Sequence, residues 1–384
     1  MKKSLIVLIM FLSCIVIPIS GQNWSKLIRL TWNAGWSMWP SIAADSGSGI
    51  HVVWLDSSLS VRDLFYKQSL DLGESWSSPI RLTWNANWPE LPSIKADSSS
   101  GLHVVWESYT PLLNHRKIFY KRSADGGITW TQTSQITYTA GDSRSPSLAV
   151  DTGNGLHVVR QDDTPGNDEI FYIHSTDSGA TWIGTTRLTW NAGESCNPSI
   201  AVDPGGGIHV VWQDDSPGNE EIFYKHSTDG GATWSGITRL SWNPRESRNP
   251  HITADSSSRI HVVWDNVLLT KCEILYKSST DGGETWSVLT RLTWNGGSSF
   301  PSITADQSNG IHVVWINLFK SNWEIFYKHS TNSGISWSRT TRLTWNPGDS
   351  FYPAIAADPG GGIHVVWHDD TPGNGEIFYK NRHD

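Results

Sequence analysis

Glu221-Ile222-Phe223-Tyr224-Lys225, Ser227-Thr228-Asp229-Gly230-Gly231-Ala232-Thr233-Trp234 and Arg239-Leu240-Ser241-Trp242-Asn243 follow one another with only short gaps, and this succession decides the fold. Upstream lie Pro198-Ser199-Ile200-Ala201-Val202-Asp203, a Gly/Pro turn, and Ile208-His209-Val210-Val211-Trp212. Four runs of β-branched and aromatic residues separated by turn residues predict four short strands, called A to D in chain order. The unit recurs. Ile-His-Val-Val-Trp or a close variant occurs seven times, with its histidine at 51, 103, 157, 209, 261, 312 and 364, in steps of 52, 54, 52, 52, 51 and 52 residues. A four-stranded unit of that length is a propeller blade and is too long for a β-helix rung. No stretch of the mature chain has helical period.

The ends of the chain support the same reading. Asn23 to Trp32 match Thr233 to Trp242, so the mature chain begins with a D strand, and it ends after Glu376-Ile377-Phe378-Tyr379-Lys380 with a C strand. An N-terminal D strand that completes the last blade closes the ring without a free edge. The expected fold is therefore an all-β, seven-bladed β-propeller of four antiparallel strands per blade, spanning 22–384.

Residues 1–21 read as a secretory signal peptide, with Lys2 and Lys3, an apolar run from Leu5 to Ile19, and a small-residue exit at Ser20 and Gly21. An uncleaved anchor and a lipoprotein acylated at Cys14 are the alternatives. Cleavage implies a secreted or cell-surface (extracellular or periplasmic) protein with no membrane span. Loss of the two lysines takes the formal charge from -8 to -10, on a chain with 17% charged residues. No basic patch points to nucleic acid. Of three cysteines, Cys196 and Cys272 survive cleavage, and their placement in loops of one face on adjacent blades suggests a disulfide.

The C-to-D turn reads Ser-x-Asp-x-Gly-x-(Thr/Ser)-Trp six times, with its acid at Asp71, Asp125, Asp177, Asp229 and Asp281 and with Asn332 in the last copy. Asp is expected to bond backbone amides two residues on, Gly to supply a positive φ, and Trp to pack between blades. In these turns the chain resembles the Asp-box (BNR-repeat) propellers, whose best-known members are the sialidases. That resemblance implies a structural role for the Asp-box, on the face away from the active site, and leaves activity open. Sialidase chemistry would further require an early Arg-Ile-Pro motif, an arginine triad, a Tyr nucleophile with a Glu partner and an acidic acid/base. The motif is absent, since the corresponding stretches read Arg29-Leu30-Thr31 and Arg81-Leu82-Thr83. Those arginines recur at 187, 239, 291 and 342, as the strand-B histidines recur in all seven units. Repetition in nearly every blade marks both sets as blade-building residues rather than catalysts or metal ligands.

The A–B and C–D turns are uniform, whereas the B–C and D–A loops on the opposite face vary, so function is sought there. Trp36 and Trp39 enter blade one, Trp88 blade two, Phe300 blade six, and Phe351 and Tyr352 blade seven, four neighbouring blades. Exposed aromatics of this kind form a platform for sugar rings or a protein partner, or else plug the end of the axis. Arg160 replaces the strand-B Trp of blade three, with Arg116 and Arg144 in nearby loops; three guanidinium groups on one face would hold a carboxylate or sulfate. Asp162 to Asn167, Asp214 to Asn219 and Asp369 to Asn374 read Asp-Asp-(Thr/Ser)-Pro-Gly-Asn, a tight turn whose functional alternative is a Ca2+ loop. No cofactor is otherwise implied. The leading expectation is a monomeric, non-catalytic propeller that binds a glycan or an extracellular protein on its B–C/D–A face. The alternatives are a sialidase-like hydrolase of acidic sugars and a structural cell-surface module.

Overall fold

The computed structural model describes residues 24–383 except 59–60, 85–86, 269–270 and 295, so the leader segment lies outside the described residues. The described residues form seven four-stranded antiparallel sheets, and six of them run A–B–C–D in sequence order. In the seventh, Ser350–Ala357, Ile363–Asp369 and Glu376–Arg382 are completed by Ile28–Arg29, with Ile28 opposite Tyr379 and Arg29 opposite Phe378. The N-terminal strand thus closes the ring, as the matching ends of the sequence predicted. Strand A of each blade touches strand A of its neighbours, so the A strands surround the axis. No helix among the described residues is long and apolar enough to cross a membrane.

Each blade sandwiches its neighbour through β-branched, Trp and Tyr side chains that are fully buried, such as Val210, Trp212 and Tyr224 of blade four. The Asp-box completes this packing. Ser69 Oγ donates to Asp71 Oδ1 at 2.7 Å, and Asp71 accepts from the backbone of Ser75, four residues on, at 2.8 Å. Instead of the expected bond two residues on, Ser69 accepts from Gly73 N at 2.7 Å, and the two side chains together tie Ser69 to Ser75 into one loop. Trp76 then packs edge-on against Tyr379 of the preceding blade, with ring centroids 5.0 Å apart. The same contact repeats down the ring, and Trp24 supplies the seventh copy against Tyr327 at 4.9 Å. Asn332 keeps the geometry, accepting from Ser336 N and donating to Ser336 Oγ, both at 2.9 Å.

The recurrent histidines and arginines are structural. His51 bridges Asp45 Oδ2 at 3.1 Å and Tyr66 Oη at 2.7 Å, and six further Asp–His–Tyr sets do the same. Each strand-D arginine pairs with a strand-C acid, for example Arg239 with Glu221 at 3.0 Å and Arg187 with Glu169 at 2.8 Å. Two features departed from the sequence expectation. Six D strands contain only two ladder residues, and blade three alone has five, Ile183–Arg187. Every A–B pairing also carries an irregularity near the start of strand A.

Candidate functional site at the axial mouth

That irregularity builds the site. In all seven blades the residue before the strand-A proline adopts the left-handed conformation: Trp39, Leu91, Ser145, Asn197, Asn249, Phe300 and Tyr352, with φ between 47° and 52°. A bulge there turns the side chain toward the axis, and the seven residues with their prolines rim a recess of about 340 Å³. Asn tolerates this backbone; Trp, Phe, Tyr and Leu adopt it at a cost of roughly 1 kcal/mol or more each. The bulky exceptions are clustered.

Blades six, seven and one contribute Phe300, Tyr352 and Trp39. Tyr352 lies 5.2 Å from Phe300 and 6.3 Å from Trp39, measured between ring centroids. Phe351 joins them, flanked by Trp323 at 6.2 Å and His368 at 5.6 Å, and His368 also stacks on Tyr352 at 5.5 Å. Burial holds the His368 imidazole down to about 4, so it is a neutral ring within an aromatic cluster. The sequence expectation named four of these six residues. Trp323 and His368 were missed, although the position after the strand-B Trp carried a signal: it reads Leu55, Glu107, Gln161, Gln213, Asp265, Ile316 and His368 while its neighbours barely change. Trp36 and Trp88 stand apart from the cluster. Trp36 packs beside Gly375, and Trp88 contacts Tyr109 at 6.4 Å.

The opposite arc is polar. Glu107 accepts from Ser145 N at 2.6 Å, Gln161 from Asn197 N at 3.1 Å and Gln213 from Asn249 N at 3.0 Å, so each side chain satisfies the bulge of the next blade. Asn249 Nδ2 donates to both oxygens of Asp265, at 3.2 and 3.3 Å. Burial pushes the Asp265 carboxyl up to about 6 and also raises Glu107 and Asp168.

The three arginines do not form an open triad. Arg116 is held by Glu107 at 2.7 Å and Glu90 at 3.0 Å, and Arg144 by Asp168 at 3.0 Å and Asp163 at 3.4 Å. Arg160 is fully buried above Phe171, 5.3 Å from the ring centroid, with Asp162 3.4 Å away; it fills the space of the missing Trp instead of facing solvent. The expected disulfide is likewise replaced by two free thiols. Cys196 Sγ points to Asp168 of blade three, 3.8 Å away, whereas Cys272 is hydrogen-bonded with Ser299 of blade six, so the two turn away from each other. The Asp-Asp-(Thr/Ser)-Pro-Gly-Asn loops use their leading acids internally: Asp162 Oδ2 accepts from Thr139 at 2.6 Å and Ser143 at 2.7 Å. Among the described residues, the one group of metal-ligating side chains close enough to share an ion is Asp358, His364 and His383, on the opposite face.

No protein-family model matches the sequence. A curated xyloglucanase of Paenibacillus sp. is 23% identical over 375 residues, which cover 82% of this chain and 33% of the relative; the chain thus spans about a third of that protein's length. Among solved structures, an ulvan lyase superposes with a TM-score of 0.64 at 10% identity, covering 92% of this chain and 95% of its own. The leech intramolecular trans-sialidase, solved with 2,7-anhydro-Neu5Ac, gives a TM-score of 0.57 at 11% identity over 93% of both chains. At such identities the likeness is one of architecture. In its fold the chain is a seven-bladed β-propeller, the architecture it shares with these lyase and trans-sialidase structures.

Proposed function

We propose that this protein is a secreted carbohydrate-binding propeller that seats a glycan at the axial mouth without cleaving it. The observation that carries the proposal is the arc of Trp39, Phe300 and Tyr352, three large rings kept at left-handed positions on consecutive blades and backed by Phe351, Trp323 and His368. A pyranose presents C–H faces that stack on such rings, while its hydroxyls find amide and carboxyl partners on the facing arc, at Asn197, Asn249 and Asp265. The named substrates of the xyloglucanase and the ulvan lyase are polysaccharides, which supports a glycan over a protein ligand. Secretion rests on the basic and apolar leader of residues 1–21.

Calorimetric titration with xyloglucan oligosaccharides and with 3′-sialyllactose tests the reading. Binding of either that weakens at least tenfold in the Trp39→Asn/Tyr352→Asn variant supports it; binding indifferent to both substitutions ends it.

A second reading, glycoside hydrolysis, is favoured by one observation: burial pushes the Asp265 carboxyl up to about 6, toward the protonated form that a proton donor on the polar arc needs. Arg116, Arg144 and Arg160 lend this reading no support, since each is engaged by the fold. Hydrolysis of a fluorogenic glucoside or sialoside that is lost in Asp265→Asn would put this reading ahead of the first.

A further inference from the structure

Beneath the mouth the A strands enclose an axial channel of about 310 Å³, lined by all seven blades. Two residues along each strand, some 6–7 Å deeper than the aromatic arc, lies a ring made of Ser41, Ser93, Ser147, Ser199, His251, Ser302 and Ala354. The ring is laced together. Ser41 Oγ accepts from Ile94 N at 3.2 Å, and Ser93, Ser147 and Ser199 accept in the same way from Leu148, Ile200 and Ile252 of the next blade. Each of these hydroxyls accepts one such bond, and its own proton, which has no acceptor among the described residues, is available to point inward. His251 Nδ1 accepts from Ile303 N at 3.3 Å, which fixes its proton on Nε2. Burial, and then the charge of Lys95, keep this imidazole neutral, at about 4.

One layer deeper, where blades one, three, four and seven carry Ala43, Ala149, Ala201 and Ala356, blade two carries Lys95. Among the described residues its ammonium has neither an ion-pair nor a hydrogen-bond partner. Among the described residues, no acidic side chain lines the channel. The nearest ring of carboxylates, at the channel's far end, is occupied: Asp97 accepts from Gly101 N at 2.7 Å and from Ser99 N at 2.8 Å, and it contacts His103 Nε2 at 3.1 Å. The buried lysines, by contrast, each reach a carbonyl, as Lys121 reaches Leu82 O at 2.6 Å and Lys380 reaches Leu343 O at 2.9 Å. Lys95 is exposed to the channel rather than packed in the core, and a lone cation between low-dielectric walls that carry no opposite charge raises the local concentration of anions.

We infer that the axial channel is a binding site for a small monovalent anion of the halide kind, held by the Lys95 ammonium with donors from the serine ring and His251 Nε2. The anion supplies the missing counter-charge and ties the inner strands of opposite blades to a common centre. This site is separate from the glycan-binding reading of the mouth and does not depend on it.

The test is bromide binding at constant ionic strength, balanced with sodium gluconate, followed by 81Br line width and by the thermal midpoint. The wild-type protein is expected to broaden the bromide resonance and to gain a few degrees over a hundredfold rise in bromide. Lys95→Ala, which installs the residue four other blades already carry, is expected to fold, to lose the broadening and to show a flat midpoint; Lys95→Arg retains both responses. Absence of broadening in wild type, or equal broadening by wild type and Lys95→Ala, overturns the inference.

Discussion

Trp39, Phe300 and Tyr352 occupy a backbone position at which Asn197 and Asn249 serve in blades four and five. Asn visits the left-handed region readily because its short amide bonds locally, whereas a large ring gains nothing there from the backbone. Replacing Tyr352 with Asn therefore relieves about 1 kcal/mol of backbone strain while removing ring contacts of similar worth. The expected outcome is a chemical-denaturation stability within about 1 kcal/mol of wild type, together with lost glycan binding. A fall of several kcal/mol would instead identify the rings as a structural plug. A glycine argues the opposite case. Gly283 has φ +98°, and a Cβ there would overlap the Tyr224 hydroxyl of the preceding blade. Gly283→Ala thus meets both backbone strain and a rigid neighbour, and should lower stability by about 2–4 kcal/mol in the same assay.

At the scale of the turn, the Asp-box makes an acid-labile element. Bonds from Ser or Thr and from backbone amides hold Asp71, Asp125, Asp177, Asp229 and Asp281 down to about 2. A carboxylate whose folded pKa is depressed stabilises the fold above its unfolded pKa, near 4, and loses that contribution as pH falls toward 2. The melting midpoint should accordingly drop between pH 4 and pH 2. Changing the five acids to Asn, as nature has done at Asn332, should make that drop shallower; an unchanged slope would assign the acid limb to other carboxylates. The seams between blades provide a second element. At six of them a strand-C lysine lies over the exposed Trp of the preceding blade, as Lys225 lies 5.3 Å from the Trp190 centroid. Between blades two and three the pair becomes Tyr138 and Ile173, and a cavity of about 550 Å³ opens beside them. Tyr138→Trp with Ile173→Lys should restore the clasp and raise stability by about 0.5–2 kcal/mol, measured as a higher melting midpoint.

For the whole molecule, ring closure was legible in the sequence because the motif order at the two ends differs from the order between them. The face that carries the aromatic mouth was legible too, from the loops that vary. What periodicity concealed was the mouth: Trp39, Phe300 and Tyr352 read as loop aromatics, yet a bulge common to all blades turns them to the axis, and a bulge leaves no trace in an alternating pattern. Arg160 was misread for a related reason, since a charged residue in place of Trp suggests a surface when its stem and planar head can fill the same buried slot above Phe171. Closure draws on an aromatic contact as well as on strand pairing. Trp24 packs edge-on against Tyr327 as each Asp-box Trp packs on its own Tyr, and the segment that carries it is joined to the ring by the Ser25 N to Asn381 O bond at 2.8 Å and by the two-residue strand that follows. Trp24→Ala should therefore cost about 1.5–3 kcal/mol, comparable to Trp76→Ala, since both remove one half-buried indole. The two should differ in hydrogen exchange. Loss of Trp76 leaves a blade covalently continuous on both sides, whereas loss of Trp24 frees the strand that closes the ring, so amide protection should fall first along Glu376–Arg382. Uniform loss of protection across all seven blades in Trp24→Ala would show that the ring opens as one cooperative unit and that no seam is weaker than the rest.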